Sequence, residues 1–105
     1  MDLMSGDVIL ATIQFSDTYE TKTRPAVILF QEFDNVIIAG ITSNLHMKGI
    51  SLSVEEGAIK PSVIKLNYIF TISKVMIKRK LFSLTKKKRM QIYNALVSNL
   101  SELKK

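Results

Sequence analysis

Cysteine is absent from the 105-residue sequence, and histidine occurs once, as His46. The absence of cysteine excludes disulfides, thiolate nucleophiles and cysteine metal sites, and it is compatible with a reducing cytoplasm. A single histidine excludes a two-histidine acid–base pair within one chain. Because no second histidine or suitably spaced carboxylate accompanies His46, we interpret it as a solvated loop residue. We predict no metal ion and no cofactor, and we expect a cytoplasmic protein.

Long apolar segments are also missing. The longest uncharged run, residues 35–47, has 13 residues and is interrupted by Gly, Asn and His, whereas a membrane helix needs about 20 apolar residues. The N-terminus is acidic and lacks the basic region of a signal peptide. Apolar residues make up 47% and charged residues 23% of the chain, as in globular proteins. We therefore expect a soluble protein with one domain, residues 1–105, and no membrane partner.

The familiar catalytic motifs do not occur. The sequence contains no GxGxxG, P-loop, HExxH or GxSxG pattern, so the enzyme classes that these motifs identify are not indicated. The carboxylates of the central loops form no recognisable acid–base pair, because all of them lie in predicted turns. These residues are Asp17, Glu20, Asp34, Glu55 and Glu56.

Basic residues are concentrated in the last third of the chain. Residues 1–73 contain five Lys or Arg against eight Asp or Glu, whereas residues 74–105 contain ten against one. Such a basic block favours a polyanionic partner, because phosphates attract clustered cations. A solvated, solubilising surface explains the same pattern equally well.

Short apolar runs separated by turns predict a β-rich fold. We predict strands at residues 8–13, 24–30, 36–41 and 50–54, and one or two more within residues 61–72. Phe15 to Thr23 is predicted to be a loop, and the Phe33 to Asn35 segment a hairpin turn. Five or six strands without intervening helices indicate a small antiparallel barrel. The pattern changes near Asn67 and Tyr68.

The chain ends with a helical pattern. An apolar stripe at i, i+4, i+8 and i+11 predicts an amphipathic helix over residues 85–103, with Thr85 as its N-cap. The stripe consists of Ile92, Leu96, Leu100 and Leu103. A shorter helical turn is predicted within residues 73–80. The cations at residues 86–89 occupy the first turn, where the macrodipole is positive. Contact with phosphate or an acidic partner explains this cluster, and so does surface charge tolerated under physiological screening.

Arginine and hydroxyl chemistry remain available. Pro25 has no N–H and suits the first residue of a strand, so Arg24 is held at a rigid strand entrance. The segment Thr42-Ser43-Asn44 leaves the next strand, and the two strands form a hairpin that brings Arg24 and Thr42 close. Their donors could bind a phosphodiester oxyanion, and RNA can supply its own 2′-OH nucleophile. A solvated surface arginine is the alternative interpretation.

Several segments together resemble the MazF/PemK (Kid-like) toxins of type II toxin–antitoxin systems. The order and spacing match over essentially the whole chain, including the final helix. The matching segments are GDVIL at 6–10, FSD at 15–17, TRPAVIL at 23–29, ITS at 41–43, SVI at 62–64 and YIFTI at 68–72.

The resemblance implies a mainly β protein, an SH3-like small β-barrel with a C-terminal helix, working as a homodimer. It implies a metal-independent endoribonuclease that cleaves single-stranded RNA through the 2′-OH, leaving 2′,3′-cyclic phosphate and 5′-OH ends, and that a cognate antitoxin inhibits. Arg24 matches the arginine that stabilises the scissile phosphate, and Thr42 matches the threonine that contacts it. The further candidates for phosphate or RNA binding are Ser43, Asn44, Phe15, Ser16, Lys22, Thr23, Lys65, Asn67 and Tyr68.

Two departures from the family pattern bear on the chemistry. Some members have an Arg-x-Asp acid–base pair where this chain has Lys65 and Asn67, and Asn67 cannot accept a proton. Many members have glutamine where Tyr68 lies. The general base is therefore unassigned, since a threonine hydroxyl does not ionise near neutral pH without help. The alternative is a weakened or inactive member that acts as an RNA- or protein-binding module.

Overall fold

The computed structural model describes residues 2–14 and 21–105, and in these ranges it contains six β-strands and one α-helix. The strands are β1 (Asp7–Gln14), β2 (Thr21–Glu32), β3 (Asn35–Thr42), β4 (Ile50–Leu52), β5 (Ser62–Ser73) and β6 (Ile77–Ser83), and the helix is α1 (Lys86–Leu100). Short 3₁₀ helices occupy Val54–Glu56, Lys74–Met76 and Ser101–Lys104. No helix in the described ranges is both long and apolar enough to cross a membrane.

The strands form one antiparallel sheet in the order β4-β5-β3-β2-β1-β6. The sheet curls into a half-barrel with the single helix at the C-terminal end of the chain. This confirms the predicted mainly β fold with a C-terminal helix. The hairpin turn between β2 and β3 is confirmed as well, and its Phe33 has a positive φ of 53°.

Apolar side chains fill both faces of the sheet, as the nearly continuous apolar strands predict. One buried cluster includes Val8, Val27 and Ile64 and is completed by Ile92 of α1. The other includes Ile9, Ile28 and Ile38, with Ile77 of β6. Adjacent residues of one strand therefore enter different clusters, because side chains alternate between the faces of a strand.

The helix begins as predicted and ends earlier. The Thr85 hydroxyl accepts a hydrogen bond from the Lys88 N–H at 3.2 Å, which confirms Thr85 as the N-cap. The α-helix stops at Leu100, and the predicted last turn is a 3₁₀ helix. Of the predicted apolar stripe, Ile92 is buried, whereas Leu103 is 83% exposed. Only the first half of the stripe, Ile92 and Leu96, packs against the core.

Three parts of the chain differ from the sequence-based prediction. Strand β2 begins at Thr21, so the last residues of the predicted loop belong to the strand. Strand β4 ends at Leu52 rather than at residue 54. The helical turn predicted within residues 73–80 is confined to Lys74–Met76, and the chain continues as strand β6, which was not predicted.

Residues 62–73 form a single strand, β5, which agrees with the one or two strands predicted there. The change of pattern near Asn67 is explained by the pairing with β3, where Ala39 opposes Ile69 but Gly40 opposes Lys65.

Candidate functional site

A groove of about 860 Å³ brings together several of the predicted site residues. Arg24, Thr42, Ser43, Asn44 and Tyr68 all line it. They come from β2, from the end of β3 with the loop that follows, and from β5. Arg24 and Thr42 thus line the same groove, as predicted, but Arg24 lies within β2 rather than at its entrance, because β2 begins at Thr21.

The register of the β2–β3 hairpin places Arg24 and Thr42 on the same face. Ala26 is the cross-strand partner of Gly40, Arg24 lies two residues before Ala26, and Thr42 lies two residues after Gly40. Residues two apart in a strand share a face. Arg24 is exposed, and within the described part of the chain no hydrogen bond or ion pair engages its guanidinium. Its five N–H donors are available to an anion.

Thr42 is held by a compact turn. Its hydroxyl oxygen accepts a hydrogen bond from the Asn44 N–H at 3.1 Å, and the Asn44 side-chain oxygen accepts one from the His46 N–H at 3.0 Å. Local bonds of this kind are typical of Ser, Thr and Asn in turns. The Thr42 hydroxyl hydrogen remains available for donation to a ligand, so Thr42 and Arg24 both present donors to the groove.

The loop after β3 returns tightly against β5. A Cβ atom at Gly49 would overlap the carbonyl oxygen of Ile64 and a methyl group of Val63, so only glycine fits this approach. Next to it, the Lys65 ammonium donates a hydrogen bond to the Lys48 carbonyl oxygen at 2.8 Å. Lys65 is only 7% exposed. Its charge is thus engaged in holding the loop.

Asn67 and Tyr68 occupy a bulge of β5. Both are exposed, but Tyr68 lines the groove and Asn67 is not among the lining residues. The Tyr68 ring centroid lies 5.2 Å from the Lys65 ammonium, a cation–π distance. Of the three β5 positions predicted from the sequence, the structure therefore brings only Tyr68 into the groove.

The groove is electropositive. Four cations line it, Arg24, Lys60, Arg79 and Lys80, and none of the described lining residues is a carboxylate. Arg79 opposes Leu10, which in turn opposes Pro25. Arg79 and Lys80 were missed as site residues because their segment was predicted to be a helical turn, although the Lys-Arg-Lys run was visible in the sequence.

Lys80 also stabilises a buried carboxylate. Asp7 is 2% exposed, and it accepts hydrogen bonds from the Met4 N–H and the Ser83 hydroxyl, both at 2.8 Å. The Lys80 ammonium lies 3.5 Å from the carboxylate. Burial by itself raises the pKa of Asp7, but these hydrogen bonds and the lysine charge outweigh it and hold the pKa below its usual 3.8. Asp7 is therefore an ionised structural residue rather than a general base.

The basic cluster at the start of α1 is partly structural. Lys88 is 9% exposed, and its ammonium donates a hydrogen bond to the Ser51 carbonyl oxygen at 2.8 Å. The Arg89 side chain lies over Gly6, where it would meet any added Cβ atom. These two contacts explain the presence of two of the four cations, so no bound ligand is needed to account for them. Lys86 and Lys87 are exposed.

The remaining predicted residues lie elsewhere. Phe15 and Ser16 fall outside the described residues. Lys22 and Thr23 are exposed on β2 opposite Ile13 and Thr12, and neither is among the residues lining the groove. Within residues 2–14 and 21–105, no group of three or more His, Asp or Glu side chains is arranged to hold a metal ion.

Comparison with solved structures identifies the fold, and two mycobacterial proteins are among the structures that share it. The Mycobacterium tuberculosis toxin MazF-mt6 has a TM-score of 0.70 at 22% identity, covering 91% of this chain and 96% of its own. An endoribonuclease in complex with its cognate antitoxin, from a mycobacterial species, has a TM-score of 0.67 at 14% identity, covering 92% and 90%.

Sequence comparison gives the family itself. No curated protein sequence matches the chain significantly. The profile of the PemK-like, MazF-like toxin of type II toxin–antitoxin systems matches residues 4–100, nearly the whole chain. Together with the curled six-stranded sheet, this match establishes that the chain belongs to the PemK-like, MazF-like family of type II toxins.

Proposed function

We propose that the protein is an endoribonuclease toxin that cleaves single-stranded RNA without a metal ion. The observation that carries this proposal is the placement of Arg24 and Thr42 on one face, within an electropositive groove. The phosphate backbone dominates the affinity of proteins for nucleic acids, so cations without lining carboxylates suit this ligand. RNA brings the 2′-OH nucleophile with it, and the protein needs to supply only binding and charge stabilisation.

In the proposed reaction, the 2′-oxygen attacks the adjacent phosphorus and the bond to the 5′-oxygen breaks. The products are a 2′,3′-cyclic phosphate and a 5′-OH. Arg24, whose guanidinium stays charged at any physiological pH, donates hydrogen bonds to the oxyanion of the phosphorane. The Thr42 hydroxyl donates to a second phosphoryl oxygen. Preorganised donors of this kind are usually the largest single contribution to catalysis.

Two proton transfers complete the reaction: the 2′-OH loses a proton to the solvent, and the departing 5′-oxygen takes one up from the solvent. No carboxylate or histidine is present among the described residues lining the groove. Asn67, at the position of a possible carboxylate base, is exposed outside that lining and has no proton-accepting group. We therefore assign Arg24 and Thr42 to stabilising the phosphorane, and we assign no lining residue to removal of the 2′-OH proton.

We further propose a cognate antitoxin as partner, a homodimeric assembly and a cytoplasmic location. A protein-binding surface is supported by apolar side chains that stay exposed along one side of α1, at spacings of three and four residues. These residues are Met90, Tyr93, Val97 and Leu100, each 45–60% exposed. The mycobacterial neighbour, whose structure contains its cognate antitoxin, supports this class of partner.

A second candidate function is binding without cleavage. It is favoured by the same lack of a carboxylate or histidine in the described lining of the groove. Such a protein would bind RNA with a steep dependence on salt concentration, because binding releases counterions. It would produce no new RNA ends.

One assay separates the two functions. Purified protein is incubated with long single-stranded RNA in the presence of a chelator, and the ends of any fragments are analysed. The proposal expects 2′,3′-cyclic phosphate and 5′-OH ends. Salt-dependent binding without new ends would support the binding module, and fragments that disappear with chelator would contradict metal-independent cleavage.

A further inference from the structure

A bulge in β5 sets Tyr68 apart from the rest of the sheet. Ala39 opposes Ile69, but its neighbour Gly40 opposes Lys65, so residues 66–68 have no partners in β3. The bulge turns Tyr68 into the groove that holds Arg24. A bulge re-aims side chains at the cost of ladder hydrogen bonds, and here the redirected side chain is an aromatic ring that stays 39% exposed.

Two neighbours lie beside this ring. The β3 backbone at Gly40 is close to it, since a Cβ atom there would be at an ordinary van der Waals distance, 3.5 Å, from the Tyr68 Cβ. The Lys65 ammonium lies 5.2 Å from the ring centroid. Lys65 is itself fixed, because it is buried and donates a hydrogen bond to Lys48. The cation of this cation–π contact is buried, and such contacts are stronger when the cation is desolvated.

We infer that Tyr68 is a stacking platform for a nucleobase next to the scissile phosphate. This inference rests on the proposed RNA substrate. Exposed aromatic faces stack on bases of single-stranded nucleic acids, and every base offers a π-face. Tyr68 shares its groove with Arg24 and Thr42, so a nucleotide whose phosphate meets those donors places a neighbouring base against the ring.

Lys65 takes the role of a positioning residue. Its ammonium already donates to the Lys48 carbonyl oxygen and lies over the ring, and only 7% of the residue is exposed. It therefore holds Tyr68 and the loop after Thr42 in a fixed relation, rather than binding a phosphate itself. Fixing the ring before RNA arrives lowers the entropy lost on binding.

The test uses 2′-fluoro oligonucleotides, which lack the nucleophilic hydroxyl, with 2-aminopurine placed at successive positions. Stacking quenches the fluorescence of this base. For wild-type protein we expect quenching at one position, retained in Tyr68→Phe and lost in Tyr68→Leu. Phe33→Leu is the matched control, because Phe33 is 91% exposed at the hairpin tip and is not among the groove-lining residues. Thermal unfolding checks that each variant is folded.

A mutant cycle completes the test. Tyr68→Leu should weaken binding about ten-fold, and removing the base at the quenched position should abolish that difference. Equal affinity of Tyr68→Leu and wild type would overturn the inference. It would also be overturned if Tyr68→Leu lost the same affinity whichever position of the oligonucleotide carried the abasic nucleotide. If wild-type protein cleaves RNA while Tyr68→Leu changes neither the fluorescence quenching nor the affinity, the proposed function stands and the stacking site is refuted. If wild-type protein binds no oligonucleotide, both fall.

Discussion

The Lys88 ammonium lies 3.0 Å from the Glu56 carboxylate and joins the first turn of α1 to the 3₁₀ helix after β4. Glu56 and Ser53 form a capping box, in which the Ser53 backbone N–H donates a hydrogen bond to the Glu56 carboxylate at 2.9 Å. That hydrogen bond and the contact with Lys88 hold the pKa of Glu56 below its usual 4.5 despite some desolvation. A cation in an unfavourable position for the helix dipole is thus explained by a tertiary contact.

We predict that Lys88→Met destabilises the fold, because it removes this ion pair and leaves the Ser51 carbonyl without its donor. The expected loss in the free energy of unfolding is about 1–3 kcal/mol. Lys87→Met is the matched control. Lys87 is exposed in the same helical turn, and removing its charge should leave stability unchanged or raise it by about 0.3–1 kcal/mol. Urea unfolding of both variants measures the difference, and equal midpoints would contradict the account.

Stability should fall in acid through Asp7. Its pKa is lowered in the folded protein, so its contribution is fully present above the usual value of 3.8 and is lost as the pH falls through the lower, folded pKa. Asp7→Asn should be less stable at neutral pH and should lose less stability on acidification. Urea unfolding at neutral pH and near pH 3 measures both quantities. Parallel losses in variant and wild type would show that Asp7 does not contribute in this way.

The loop after β3 should not tolerate a side chain at Gly49. An alanine Cβ there would overlap the backbone of Ile64, so Gly49→Ala should displace the loop that follows Thr42 and reduce both stability and RNA binding. Gly40→Ala is the control, because its Cβ would make only ordinary contacts, 3.5 Å or more. Thermal unfolding of the two variants is the first measurement. A Gly49→Ala protein as stable as Gly40→Ala would refute the close approach.

Thr42 should contribute through its hydroxyl group. Thr42→Val keeps the shape but removes the donor, and the loss of a hydrogen bond to a charged phosphate should slow cleavage about ten- to a hundred-fold. Thr42→Ser should retain most of the activity. Because the Asn44 N–H that donates to Thr42 is exposed to water, Thr42→Val should unfold at nearly the wild-type temperature. Single-turnover cleavage rates test the prediction, which fails if Val and Ser variants are equally active.

The hairpin that carries Arg24 and Thr42 could be predicted from the sequence. Two apolar runs flank a short turn, and the antiparallel geometry brings the two open ends together. The strand entrance predicted at Pro25 is wrong, because β2 begins at Thr21 and its pairing with β1 runs through Arg24 and Pro25. The register that puts both residues on one face needs the structure, because a shift of one residue would send one of them to the other side.

Strand β6 and the roles of two lysines could not be predicted. In β6 the run Lys78-Arg79-Lys80 lies on an edge strand whose pairing with β1 shifts register twice, so no alternation of apolar and polar residues is visible. Lys65 and Lys88 look like surface residues in sequence, since lysine is rarely buried. Their partners are backbone carbonyls distant in sequence, Lys48 in the loop after β3 and Ser51 in β4, which only the folded chain brings within reach.

The central claim is that Arg24 stabilises the transition state of RNA cleavage. Because Arg24 is exposed and unpaired within the described part of the chain, Arg24→Ala should fold with wild-type stability, within about 0.5 kcal/mol. Lys78→Ala is the control, since Lys78 is exposed and is not among the groove-lining residues. The measurement is the single-turnover rate at which 2′,3′-cyclic phosphate ends appear in the presence of chelator. We predict a loss of about a hundred-fold or more for Arg24→Ala and none for Lys78→Ala. Cleavage by Arg24→Ala at the wild-type rate would contradict the account.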